Sequence, residues 1–208
     1  MKYIKFFEEY KGVFSLDIDI KEYVTKICLN MNISYDKIEV INSGLNGVAI
    51  DLGNTVLKIT MDTTEVYFAE KLKNIKSENL VEIYDVKQIN SKHQYGNLFA
   101  IHQEKLITNL NPTILHMIYY LHHKDSLYRK NEEEVYLYFK DKLLSLSKEN
   151  ILYLFNKFKS VYLECEKYNI PIDDFREKNM GVRNNEFVYF DVSDPYQSHK
   201  PNVEIINV

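Results

Sequence analysis

Apolar residues recur along this chain with two different periods, and the change of period organises it. Ile20, Tyr23, Val24, Ile27 and Cys28 return at three- and four-residue intervals, which predicts a helix over 19–31 with Asp19 as its cap. A shorter helix is expected over 2–10. From residue 37 the period shortens: 37–41, 48–52 and 55–60 read as strands. The first two flank Ser43-Gly44-Leu45-Asn46-Gly47, and the last two flank Gly53-Asn54, a hairpin signal. A helix is expected over 62–75, with Val66, Ala69, Leu72 and Ile75 on one face, then strands over 80–89 and 97–104. Beyond residue 110 the helical period returns. Asn111-Pro112 opens a helix through His123, because proline at the first helical position lacks only an N–H that has no intrahelical partner there. A polar stretch covers 124–134, and helices are expected over 135–145 and 149–168. The longer one turns Ile151, Leu154, Phe155, Phe158, Val161, Tyr162 and Cys165 to one side. A loop and a strand over 187–192 lead into a hairpin-like tail.

The expected class is α+β: a five-stranded antiparallel sheet with one helix between its third and fourth strands, then a helical part. Three segments follow: a helical extension over 1–35, a sheet lobe over 36–106 and a reduced helical lobe over 107–208. A boundary near 105–110 would leave a cleft between lobes, where ligands usually bind.

Composition narrows the partners. The chain has 208 residues, 45% hydrophobic and 27% charged, the proportions of an ordinary globular protein. Its 26 basic and 30 acidic residues leave a net charge of −4, which argues against nucleic-acid binding. Cys28 and Cys165 form no CxxC pair, so two buried thiols are expected rather than a zinc or redox site. Lys2 and Lys5 at the start are followed by Glu8 and Glu9 without an apolar core, unlike a signal peptide. No apolar run approaches the ~20 residues of a membrane span. A cytoplasmic protein without a membrane partner is expected.

Five features carry candidate chemistry. Gly44 and Gly47 sit between strands, where glycine lets backbone N–H groups approach a phosphate. Lys58 interrupts the apolar strand Val56-Leu57-Lys58-Ile59-Thr60, and a lysine there is costly unless its ammonium is paired. Glu65 borders the apolar face of the next helix and is the expected partner, with Glu70 as the fallback. Asp174 and Asn179 lie five apart in a loop, and Asp191 ends an apolar strand; their oxygens are hard ligands suited to Mg²⁺. His116 and His123 could share a helix face, but read as solvated or core-edge histidines rather than a metal pair.

Taken in order, these parts resemble the protein-kinase-like superfamily over residues 36–195. The resemblance implies a two-lobed fold that binds ATP and Mg²⁺. Gly44 and Gly47 match the second and third glycines of the phosphate loop, and Asn42 stands where the first would be. Lys58 matches the lysine that contacts the α- and β-phosphates, and Glu65 its helix partner. Glu104-Lys105-Leu106 resembles the hinge whose backbone binds adenine, with Gln103 at the gatekeeper position. Asp174 matches the catalytic aspartate, Asn179 the metal-binding asparagine and Asp191 the metal-binding aspartate. Gly181, soon after the asparagine, is similar to the small-molecule kinases. Three departures stand out: Ile172 replaces a histidine, Val192-Ser193 replaces Phe-Gly, and few residues follow Asp191, so a peptide platform is not expected. The N-terminal helices or residues 107–147 could replace it. The resemblance implies transfer of the ATP γ-phosphoryl to a protein or small-molecule hydroxyl. The alternative is a nucleotide-binding pseudokinase acting on a partner protein, such as one of a host.

Overall fold

The computed structural model of the chain describes residues 20–43, 47–90, 97–172, 176–190, 192 and 200–208. The expected helix over 2–10, the cap Asp19 and the site residues Gly44, Asp174 and Asp191 lie outside them. The protein is mixed α+β, and its described residues divide into two compact units.

The first unit comprises 20–43, 47–75, 82–90, 97–105 and 200–208. It holds α1 (Ile20–Asn30), β1 (Glu39–Ser43), β2 (Gly47–Asp51), β3 (Thr55–Thr60), α2 (Thr63–Leu72), β4 (Ile83–Asn90), β5 (Leu98–Glu104) and a late strand, Ile205–Asn207. The sheet runs β1-β2-β3-β5-β4 and then the late strand. Side chains alternate across a strand, and the two faces are covered by different helices. Leu57 and Ile59 join Val48, Ile50, Leu98 and Ala100 in a core with Tyr23, Val24, Ile27 and Cys28 of α1. Lys58, between them in sequence, points to the other face, where α2 packs on β4 and β5. The apolar side of α1 is thus spent on the face opposite Lys58. Asp62 starts α2 by accepting the N–H groups of Thr64 and Glu65 at 2.9 and 3.1 Å.

The second unit comprises 76–81, 106–172, 176–190 and 192. Here lie α3 (Pro112–His122), α4 (Glu132–Phe139) and α5 (Lys148–Tyr168), with β6 (Met180–Arg183) and β7 (Glu186–Tyr189) forming a separate hairpin. The late strand of the first unit is β8. Asn184 and Asn185 turn the hairpin with φ of 50° and 66°, left-handed values that asparagine tolerates. Phe187 stacks on Phe158 of α5 with ring centres 4.2 Å apart. Tyr189 exchanges backbone hydrogen bonds with the segment before β4: its N–H donates to Asn79 and its carbonyl accepts from Val81.

Four expectations change. The sheet has six strands rather than five, and β8 runs parallel to β4. The tail expected with the helical lobe therefore places residues 200–208 in the sheet unit, while residues 76–81 join the helical one. The helix expected over 135–145 spans Glu132–Phe139 instead. Asn131 and Glu134 cap each other reciprocally there, and three glutamates in the first turn suit the positive end of the helix dipole, so a charged stretch that resembled a loop opens a helix. Residues 180–183, expected as loop, form β6. Among the described residues no helix is long and apolar enough to cross a membrane.

Candidate functional site

Lys58 lies on a central strand, between Ala49 of β2 and Ile101 of β5. Backbone pairing on both edges fixes its position, and only the direction of its side chain remains to be set. Its ammonium meets the Glu65 carboxylate of α2. The two side chains are 18% and 8% exposed, so each charge is largely withdrawn from water and each needs the other. Glu70 sits one turn further along and faces Lys73 at 3.8 Å instead. Of the two glutamates, Glu65 holds Lys58.

Gly47 begins β2 opposite Thr60. A Cβ there would stand 2.5 Å from the Ile59 carbonyl oxygen, so only glycine allows the two strands to meet so closely. Gln103 pairs with Val56 near the end of β5. Glu104 closes that strand and is buried. Its N–H donates to the Glu82 carbonyl at 3.0 Å, and its carboxylate accepts from the Glu82 N–H at 2.7 Å. Lys105 belongs to the first unit and Leu106 to the second.

In the second unit Asn179 is fully buried. It ends the short 3₁₀ turn Glu177–Asn179, against which α3 packs, and its N–H donates to the Arg176 carbonyl at 3.0 Å. The hairpin begins at the next residue. After its return through β7, the Phe190 N–H donates to the Asn179 carbonyl at 2.9 Å. The asparagine and the residue preceding Asp191 are thereby joined, although eleven positions of sequence separate them. Gly181 permits the approach of Leu106, whose Cβ would be 2.7 Å from a Cβ at position 181. Ile107 and Val182 exchange backbone hydrogen bonds beside this contact.

Two buried groups were not singled out by the sequence. The Asp51 carboxylate, at the end of β2, accepts from Lys37 at 2.5 Å, from Lys105 at 2.9 Å and from the Gly53 N–H at 2.9 Å. Burial would raise its pKa, but hydrogen bonds from Lys105, Lys37 and Gly53 outweigh it and hold the group at about 2. Asn79 donates from its side chain to the Phe187 carbonyl at 3.0 Å, tying the segment before β4 to β7. Asp51 falls inside the strand expected over 48–52, and the pairing of Asn79 with β7 spans more than 100 positions, so neither stood out locally.

Other reactive types are quiet. Burial pushes the Cys28 thiol up to about 11 and that of Cys165 up to about 12, so neither supplies a thiolate near neutral pH. His123 packs edge-on to Tyr119 at 4.7 Å, and His116 is exposed. Among the described residues no three His, Cys, Asp or Glu side chains cluster as metal ligands. Neither a protein family nor a curated protein matches the chain.

Proposed function

We propose that the chain is an ATP- and magnesium-dependent phosphotransferase of the protein-kinase-like class, moving the γ-phosphoryl of ATP to a hydroxyl of a protein or small molecule. The ion pair of Lys58 and Glu65 carries this reading. A lysine on a central strand, held by a glutamate of the following helix, is the arrangement by which such enzymes present an ammonium to nucleotide phosphates. A second support is the hairpin that starts after Asn179 and returns Phe190 to it, immediately before Asp191.

In this reading Glu65 orients Lys58, and Lys58 binds the α- and β-phosphates. Gly47, with Gly44, lets backbone N–H groups approach those phosphates. The backbone of Glu104 and Leu106 pairs with adenine. Asp174 orients the acceptor hydroxyl and takes its proton as the new O–P bond forms and the bond to the β-phosphate oxygen breaks. The donor set fits magnesium: Asn179 offers an amide oxygen and Asp191 a carboxylate, hard donors of the kind Mg²⁺ takes alongside phosphate oxygens. Magnesium, when bound, neutralises charge on the β- and γ-phosphates.

Incubation with γ-labelled ATP, magnesium and candidate acceptors tests the proposal. Wild type should transfer label, and Asp174→Ala should transfer none above background. Equal labelling by the two proteins would overturn it. The second reading, a nucleotide-binding pseudokinase acting on a partner protein, draws on β8: residues 205–207, well past Asp191 in the chain, are committed to the sheet. It requires ATP·Mg²⁺ to raise the melting temperature by mass action without turnover, and to do so equally in Asp174→Ala.

A further inference from the structure

The surface made by the end of α3 and the end of α4 carries two lysines and two tyrosines in a fixed arrangement. The rings of Tyr120 and Tyr138 meet edge to face, with centres 6.4 Å apart and planes at 85°. Lys142 sits in the corner between them, its ammonium 4.0 Å from the centre of Tyr138 and 5.7 Å from that of Tyr120. It also donates to the Tyr138 carbonyl at 2.9 Å. A second ammonium, that of Lys124, lies 4.8 Å from the same Tyr138 ring. Both cations are therefore held by one tyrosine, whose own phenol is pushed upward by burial and, secondarily, by Tyr120, and so stays neutral.

Neither lysine meets a carboxylate among the described residues. Two of the glutamates that open α4 have their own cations: Glu134 pairs with Lys130 at 2.8 Å and Glu133 with Lys148 at 2.5 Å. Asp141, adjacent to Lys142 in sequence, is exposed. Two like charges gathered on one ring repel each other. Aromatic faces attract a cation but accept no strong hydrogen bond. An ammonium has three donors, and Lys142 directs one of them at a carbonyl. The remaining donors of both lysines suit an oxyanion, and two positive charges suit one that is doubly charged.

We propose that Lys124 and Lys142, held against Tyr120 and Tyr138, form a binding site for the phosphomonoester dianion of a small soluble ligand. The site is independent of the nucleotide-binding residues assigned above and does not rest on them.

Titration of the full chain with inorganic phosphate, followed by amide resonances, tests it. Saturable shifts centred on residues 120–142 are expected, with dimethyl phosphate, a monoanion, binding more weakly. Lys142→Met and Lys124→Met keep the apolar stem and remove the charge, and each should weaken phosphate binding at least about tenfold. Lys140→Met, a lysine nearby in sequence, should leave it unchanged. The proposal is overturned if sodium chloride at matched ionic strength gives the same shifts. It is also overturned if Lys140→Met weakens binding as much as Lys142→Met does, or if the shifts centre on residues outside 120–142.

Discussion

An ammonium and a carboxylate withdrawn together from water are interdependent in a way that exposed pairs are not. Exposed pairs contribute little, whereas removal of one partner from a sheltered pair strands the other. Lys58 and Glu65 fall in the second class. Glu65→Leu, beside an unchanged Lys58, should therefore cost about 3 kcal/mol of unfolding free energy, at the low end for buried pairs because Lys58 keeps some exposure. The double variant Lys58→Met/Glu65→Leu should recover most of that loss. A urea-unfolding cycle over the four proteins measures the coupling, and simple additivity would show that the pair is not linked. A different consequence attaches to Asp51, whose carboxyl is held at about 2. A depressed carboxylate stabilises the fold fully above its unfolded pKa of ~3.9 and loses that contribution as pH falls through the folded value. Wild type should thus lose stability between about pH 4 and about pH 2, and Asp51→Asn should lose less over that window. Parallel acid-denaturation curves for the two proteins would contradict the assignment.

At the scale of elements, the hairpin of β6 and β7 connects residues distant in sequence, and its turn is its most sensitive point. Asn184 and Asn185 both adopt left-handed backbone conformations. Asn185→Ala should cost about 1 kcal/mol, and Asn185→Gly should be neutral or slightly stabilising. Thermal melts of the two variants decide this, with equal effects counting against a strained turn. Gly181→Ala should be more harmful, since its Cβ would overlap that of Leu106. The same hairpin shows where sequence reading stops. Strand β3 and helix α2 were legible because each presents a continuous period, with Lys58 and Glu65 as exceptions to it. Strand β6 was not, since its four residues, one of them glycine, form no pattern apart from their partner. Glu132–Glu134 misled in the other direction: charge that reads as loop in isolation favours a helix N-terminus. Asn179 drew notice in the sequence through its spacing to Asp174. Its bond to Phe190, which depends on a reversal of the chain, had no local trace.

At the scale of the molecule, the sheet is completed by residues from the far end of the sequence. Strand β8 pairs with β4 in parallel, Gln88 opposite Ile205 and Asn90 opposite Asn207. The Gln88 N–H donates to the Glu204 carbonyl at 2.8 Å, and the Val208 N–H donates to Asn90 at 3.1 Å. Ile206 enters the same apolar core as α1, and Asn30 of that helix donates to the Asn207 carbonyl at 3.2 Å. Local preference was a poor guide here because three residues make too short a run to read, and the ordering comes from an edge more than 100 positions away. Burial of Ile206 contributes about 2 kcal/mol and each backbone bond about 1 kcal/mol, against about 1–2 kcal/mol per residue for ordering the strand. The two sides nearly cancel, so the strand is marginally held and able to detach. Removal of residues 200–208 should leave α1 packed on β2 and β3 and expose the outer edge of β4. Hydrogen exchange then separates two outcomes. If β8 protects that edge, the Gln88 amide should exchange much faster in the shortened chain, while the Ile101 amide, in β5 between β3 and β4, should change little. Ile206→Asp should reproduce the effect at full length, since it removes the apolar anchor and leaves the backbone intact. Unchanged protection of Gln88 in both proteins would mean that β4 is held by its pairing with β5 alone, and that β8 lies on the sheet without stabilising it.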